Sequence, residues 1–306
     1  MLKSAARFLM DKLGYELRKK PIHRDERSWF SPSVPAKLEK ATATKDRFRE
    51  IISDPLNLLI ERDPLSGIVS GGFVKLHTGI VVPMGGVGSY YGEFSDILMF
   101  NRGVHEPLEE FAFQELVYSI HQYPTMLELG AYWGHYSMWM KKFRPHATVF
   151  LVEPNPVNLQ SGEDNFRRNQ LTGTFINDVV GKGHFEVDRF LEERAIDKLD
   201  VLHADIQGAE TFMLEGCKRS FHKEKVSYCF ISTHSQKLHS EVAAILKAAD
   251  FRLEASADFD HETTSFDGLI FAAHASAPVI LDDFRFSLPW KRSNFLCLSA
   301  KNCYCR

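Results

Sequence analysis

Glu128, Gly130, Gly134 and Glu153 have the types and spacing to hold an adenosine-bearing cofactor. Thr125 to Ser137 reads TMLELGAYWGHYS, an apolar run that ends in an acid and two glycines before a helix-compatible stretch. Phe150 to Pro156 reads FLVEPNP, a second apolar run closed by an acid. This is the pattern of a first β-α-β unit, whose ligands bind outside the carboxyl ends of the strands. A dinucleotide needs G-x-G-x-x-G, because its pyrophosphate must touch the backbone at the second glycine. Here the glycines are spaced G-x-x-x-G with Tyr132 and Trp133 between them, which argues against NAD. S-adenosylmethionine carries a ribose and a cationic sulfonium but no phosphate, so it tolerates a bulkier loop. Glu153 would take its ribose hydroxyls and Glu128 would face its cationic end. The competing reading is an ordinary strand-turn-helix unit with an accidental pair of glycines.

Further along, Asp205 closes another apolar run and could act as a base, bind magnesium, contact the cofactor's amino group, or simply cap a helix beginning near Gly208. His234, in Ser232-Thr233-His234-Ser235, ends the next run and could act as a general base or metal ligand, or the polar cluster could simply be a turn that satisfies backbone groups. A reaction that must take a proton from its acceptor would call on such groups, so Asp205 and His234 are the catalytic candidates. Before the glycine loop, His105 and Glu106 could reach an acceptor if their segment folds over the site. Glu106, Glu109 and Glu110 also suit a helix start, where the helix dipole favours acids. Tyr91, with Tyr90 and Phe94, could stack on a sugar or adenine face or fill a small core of the lid itself. Tyr136 is the aromatic expected to touch the cofactor, whereas Trp133 and Trp139 read as packing and His239 as a surface or packing residue.

The elements that must position these groups alternate from Thr125 onward. Strands are expected near 125–130, 148–153, 173–180, 198–205, 226–234, 250–257 and 267–274, with helices near 135–144, 156–169, 187–195, 208–220 and 237–249. Such alternation implies a parallel sheet covered on both faces, and the last two strands, too close for a crossover, form an antiparallel pair. Upstream, the Gly71-Gly72 pair and the Gly79 to Pro83 stretch suggest a small β-meander, followed by a helix entered through Pro107. Leu2 to Lys20 has the pattern of a basic amphipathic helix, and SPSVP at 31–35 marks a linker. The division expected is 1–47 for the N-terminal helix and linker, 48–124 for the meander and lid, 125–277 for the cofactor domain and 278–306 for a tail.

At 306 residues, 44% hydrophobic and 25% charged, the chain has ample material for a core. Its net charge of -3 gives no nucleic-acid signature. No apolar run approaches the roughly twenty residues of a membrane span, and no signal-peptide core is present. A cytoplasmic protein is expected, with residues 1–20 able to lie on the inner face of a membrane. The five cysteines fit neither a paired zinc motif nor a disulfide framework.

Over roughly Ser89 to Ala273 the chain resembles the FkbM-like family of S-adenosylmethionine-dependent methyltransferases, through ELGAYWGHYS, VEPNP and LDVLHADIQGAE. The usual family form of the last motif ends K-I-D-V-E-G-x-E, and Gln207 departs from it. The segments YYGEF, GVHEP and FISTHS are similar to a subgroup associated with polysaccharide and glycan modification. The resemblance implies an α/β fold, a Rossmann-like seven-stranded sheet of order 3-2-1-4-5-7-6 with the last strand antiparallel, and an N-terminal helical and small β extension. It implies cofactor contacts at Glu128, Gly130, Ala131, Gly134 and Glu153, and adenine contacts at Asn177 or Asp178. Tyr132, Tyr136, Ser137 and Asn155, in the same two motifs, join that set. The activity expected is an O-methyltransferase acting on a carbohydrate or glycan-related hydroxyl, with magnesium a further cofactor candidate and no ligand set assigned to it. The alternatives are an NAD(P)-dependent oxidoreductase and a non-catalytic protein docked to a membrane or partner.

Overall fold

A computed structural model of the chain describes residues 47–49, 51–88, 90, 94–259 and 267–281. The amphipathic segment 2–20, the linker, Tyr91 and the cysteines Cys297, Cys303 and Cys305 lie outside the described residues. The two described cysteines, Cys217 and Cys229, are buried and free. Among the described residues, no helix is long and apolar enough to cross a membrane.

The strands are β1 (Val69–Ser70), β2 (Phe73–Lys75), β3 (Val81–Pro83), β4 (Thr125–Leu129), β5 (Thr148–Val152), β6 (Thr174–Ile176), β7 (Leu199–Ala204), β8 (Val226–Thr233), β9 (Phe251–Ala257) and β10 (Gly268–His274). The helices are α1 (Ile97–Phe100), α2 (Pro107–Ser119), α3 (His135–Phe143), α4 (Pro156–Arg168), α5 (Val187–Glu193), α6 (Glu210–Glu215), α7 (Lys218–His222) and α8 (Gln236–Ala248). Strands β4 to β10 form one sheet in the order β6-β5-β4-β7-β8-β10-β9. Counted from β4 as the first, that order is 3-2-1-4-5-7-6. Strands β6, β5, β4, β7 and β8 pair in parallel, while β10 runs antiparallel to both β8 and β9. The short hop from β9 to β10 leaves room only for an antiparallel return, as the sequence spacing required.

Alternation within each strand divides the core between the two faces of the sheet. Met126, Val149 and Leu151 face one cluster, joined by Phe113 and Leu116 of α2 and by Met138 and Trp139 of α3. Leu127, Leu129 and Phe150 face the other, with Phe190 and Leu191 of α5 and Val242 and Leu246 of α8. The antiparallel meander β1-β2-β3 contributes Val74 and Val82 to the first cluster. Asn169 fastens the meander, accepting from Val81 N (2.8 Å) and donating to Val81 O (2.8 Å).

Two elements differ from the sequence expectation. Strand β6 stops at Ile176 rather than near residue 180, because the Asn177 side chain turns to donate to the carbonyls of Glu153 (2.8 Å) and Pro154 (3.0 Å). The helix expected over 208–220 divides into α6 and α7, because the Asp188 carboxylate accepts from Arg219 N (2.8 Å) and Ser220 N (2.7 Å) and so starts a fresh helix.

Candidate functional site

Strand β4 ends at a loop that approaches β7 closely. A Cβ on Gly130 would stand 1.8 Å from the Asp205 carbonyl, and Gly130 has φ +72°, so only glycine serves there. Tyr132 also takes a left-handed backbone (φ 46°), and its amide donates to Glu153 Oε2 at 3.0 Å. Glu153 Oε1 accepts from Asn155 N (2.9 Å) and Asn158 Nδ2 (3.3 Å). A carboxylate offers about four acceptor positions, so Glu153 keeps capacity for a ligand hydroxyl while shaping the loop.

Above these strand ends lies a cavity of about 570 Å³. That is the size of a small-molecule site. Of the residues expected to bind the cofactor, Glu128, Gly130, Ala131, Tyr132, Tyr136 and Glu153 line it. His105, Glu106 and Asp205 line it as well. Tyr132 and Trp133 form part of its wall without closing it.

Other expected residues stand one layer back. Ser137 N donates to Glu128 Oε2 (2.9 Å), and Asn155 caps α4 by accepting from Val157 N. Gly134 precedes α3 as its N-cap. Asn177 and Asp178 do not line the cavity; Val179 and Val180 occupy that stretch of wall instead. The early end of β6 causes this, since the Asn177 side chain is committed to two carbonyls. The Asp178 carboxylate turns to Val179 N (2.7 Å).

The rim carries a charged cluster. Asp205 is not a helix cap, since α6 starts at Glu210 with Ala209 in the cap position. Its Oδ1 lies 3.2 Å from His234 Nε2 and accepts from Gln207 Nε2 at 2.9 Å. His234 Nδ1 meets Glu210 Oε1 at 3.2 Å, and Asp267 lies 3.9 Å from Nε2. Burial works against a charged imidazole here, but these three carboxylates overcome it and push His234 up to about 10. Held so, His234 is charged at neutral pH and pairs with these carboxylates. It does not line the cavity itself, whereas Gln207 and Asp267 do.

The floor carries a second polar cluster under the lid helix. Glu110 is fully buried, and its Oε1 accepts from the backbone amides of His105 (2.8 Å) and Glu106 (3.0 Å) at the start of α2. His105 Nδ1 lies 2.7 Å from the same oxygen, and His77 Nδ1 lies 3.2 Å from Oε2. Burial opposes the charge on Glu110, but His105 and His77 hold its carboxyl below the usual range. Burial, reinforced by His105, pushes His135 well below the ordinary imidazole value. Glu106 is raised to about 7, chiefly by burial. The Tyr136 hydroxyl donates to its Oε2 at 3.2 Å. Beside them, His203 Nε2 meets Glu109 Oε1 at 2.7 Å, and Ser232 donates to Glu109 Oε2 at 3.1 Å, which ties α2 to β7 and β8.

His77, His135, His203, Gln207 and Asp267 had no role assigned from sequence. His135 and His203 lie inside the quoted motifs, and a histidine within a buried apolar strand, as in LDVLHAD, was the available signal. His239 is buried between Thr233 Oγ1 and Ser256 Oγ, both at 2.9 Å, a packing residue.

Residues 184–253 match the family model of the methyltransferase FkbM domain. The matched segment contains the rim residues Asp205, Gln207, Glu210 and His234. No curated protein matches this chain in sequence. Among solved structures, the chain is similar to precorrin-6y C5,15-methyltransferase from Geobacter metallireducens GS-15, with TM-score 0.41 and 14% identity over 55% of this chain and 88% of that one. It is also similar to M. capricolum TrmK in complex with S-adenosyl-homocysteine, with TM-score 0.39 and 14% identity over 53% of this chain and 67% of the other. A third is the ribosomal protein L11 methylase from Lactobacillus delbrueckii subsp. bulgaricus, with TM-score 0.40 and 13% identity over 55% and 77%.

Proposed function

We propose that this methyltransferase, with its FkbM-domain segment, binds S-adenosylmethionine across the ends of β4 and β5 and transfers the methyl group to a hydroxyl of a carbohydrate or glycan-related acceptor. The observation that carries the donor site is Glu153. It closes β5 on the cavity wall, oriented by two backbone amides, with a carboxylate able to accept from a ribose. Glu128 supports the opposite end of the donor. It is a buried carboxyl raised by desolvation, and a cationic group beside it would relieve that cost. Val179 and Val180 offer apolar wall for the adenine.

The acceptor side combines aromatic and carboxylate surface. Tyr90, Trp133 and Tyr136 present ring faces, and Glu106 and Asp205 present oxygens. Such a mixture suits a sugar, whose C–H faces stack on rings while its hydroxyls donate to carboxylates. The donor supplies an electrophilic methyl group on a sulfonium, displaced in line. The protein's part is to align the hydroxyl, exclude water and accept its proton. Asp205 takes the proton in this reading, while the His234 imidazolium behind it fixes the carboxylate and offsets the charge of Glu210 and Asp267.

Magnesium does not fit the rim. The position among Asp205, Glu210 and Asp267 is already filled by the His234 cation, so no step is routed through that metal.

Calorimetry with S-adenosylhomocysteine and with NADH tests the donor assignment. S-adenosylhomocysteine is expected to bind and NADH not to bind. Glu153→Gln is expected to weaken S-adenosylhomocysteine by about ten- to a hundredfold, the effect of losing charged hydrogen bonds. NADH binding, or unchanged S-adenosylhomocysteine affinity in Glu153→Gln, would remove the reading. Transfer of labelled methyl groups to a glycan extract tests the acceptor class.

A further inference from the structure

The geometry points to a binding site for one divalent transition metal of the zinc class, held by His105, His135 and Glu110 at the floor of the cavity. A nitrogen of each histidine and an oxygen of Glu110 all lie within 4.8 Å of one another. A zinc ion bound at about 2.0–2.2 Å needs its donors about 3.3 Å apart, so the His105 Nδ1–Glu110 Oε1 pair at 2.7 Å would open slightly and the His135 Nε2–Glu110 Oε1 pair at 3.9 Å would close. Two imidazoles and one carboxylate is a donor set that holds zinc while leaving a coordination position open. It is poorly suited to magnesium, which prefers oxygen ligands and retains water.

The hydrogen bonding of the cluster is incomplete in the way a missing ion would leave it. His135 is only 3% exposed, and both of its ring nitrogens lack a hydrogen-bond partner. Glu110 Oε2 and His105 Nδ1 also lack one, although His105 Nδ1 stands 2.7 Å from Glu110 Oε1. That contact is close but is not aligned as a hydrogen bond. Buried polar atoms rarely go unsatisfied, and an ion held by one nitrogen of each histidine and by Glu110 accounts for three of these four, leaving the second ring nitrogen of His135.

The donors are also held for the purpose. Glu110 sits in the first turn of α2 with Oε1 fixed by two backbone amides, and His135 opens α3. His77 stands behind the carboxylate, 3.2 Å from Oε2, where an outer partner orients a ligand. His105 and His135 line the cavity, so a bound ion would border it. The site stands independently of the acceptor proposed above and of the rim carboxylates.

The test uses the full chain without a polyhistidine tag, expressed with added zinc and dialysed before metal analysis by plasma mass spectrometry. About one equivalent of zinc per chain is expected, and cobalt loaded in its place should give the visible absorption of a low-coordinate site. His135→Gln should lower zinc affinity by calorimetry at least about tenfold, while His234→Gln at the rim should leave it unchanged. Wild-type protein holding under roughly a tenth of an equivalent, with no cobalt absorption, overturns the proposal without any variant. Binding that survives in folded His135→Gln, or is lost in His234→Gln, overturns it as well. Should His135→Gln fail to fold, the wild-type stoichiometry and cobalt spectrum decide alone.

Discussion

The rim and the floor of the cavity are built from the same two residue types in opposite proportions. At the rim, one imidazole stands among three carboxylates, Asp205, Glu210 and Asp267. At the floor, three imidazoles, His77, His105 and His135, gather around Glu110, with Glu106 a further carboxylate 3.8 Å from His105. The outcome differs accordingly. His234 is held charged and serves as a built-in cation, whereas burial keeps His77 and His135 below the ordinary imidazole value and His105 alone, against Glu110 and Glu106, is raised. An imidazole's role in a folded chain follows from how many carboxylates share its space and how far water is excluded.

The contrast is broken or confirmed most strongly at Glu110. Glu110→Ala removes the acceptor for two backbone amides and leaves the buried His105 without its main counter-charge. A destabilisation of about 3–5 kcal/mol is expected in urea denaturation, the cost of breaking a buried charge pair by deleting one partner. Asp267→Asn at the rim, where Asp205 and Glu210 remain, should cost no more than about 1 kcal/mol. Equal losses at the two positions would erase the distinction drawn between them.

Asp205→Asn tests the rim by function rather than by stability. The carboxamide keeps the shape and the Gln207 neighbour but cannot accept the hydroxyl proton. S-adenosylhomocysteine affinity should stay within about twofold, while methyl transfer to the glycan extract falls about a hundredfold, the lower range for loss of a general base. Full transfer by Asp205→Asn would move the proton-accepting role away from the rim.

What could be read in advance follows the same division. The strands were legible because buried parallel strands appear as unbroken apolar runs, as in Thr125–Leu129 and Thr148–Val152. Glu153 and Asp205 were legible as acids that end such runs, and His234 as the polar close of the next. The floor was not. His77, His105 and His135 come from three separate segments, and each reads alone as an isolated histidine; only the packing of the meander and α2 on α3 brings them together. The end of β6 was placed too late because a single side chain, Asn177, turns to two carbonyls and ends the strand at Ile176, an effect that strand periodicity does not register.

The smallest expected effect is the pH dependence of His234. Its imidazole is raised from an ordinary value of 6.5 to about 10 in the folded chain. A group raised on folding contributes its full stability below the unfolded value and loses it as pH climbs through the folded one. The wild-type advantage over His234→Gln should therefore be constant below about pH 6.5, decline between about 6.5 and 10, and vanish above that. At pH 6 it should amount to about 1–2 kcal/mol, discounted for the solvent that reaches a partly exposed pair. The facing groups are Asp205, Glu210 and Asp267, so Asp205→Asn should shrink the advantage and narrow the window from its upper end. An advantage that grew with pH would mean a neutral imidazole at the rim, and then the rim and floor histidines would be alike.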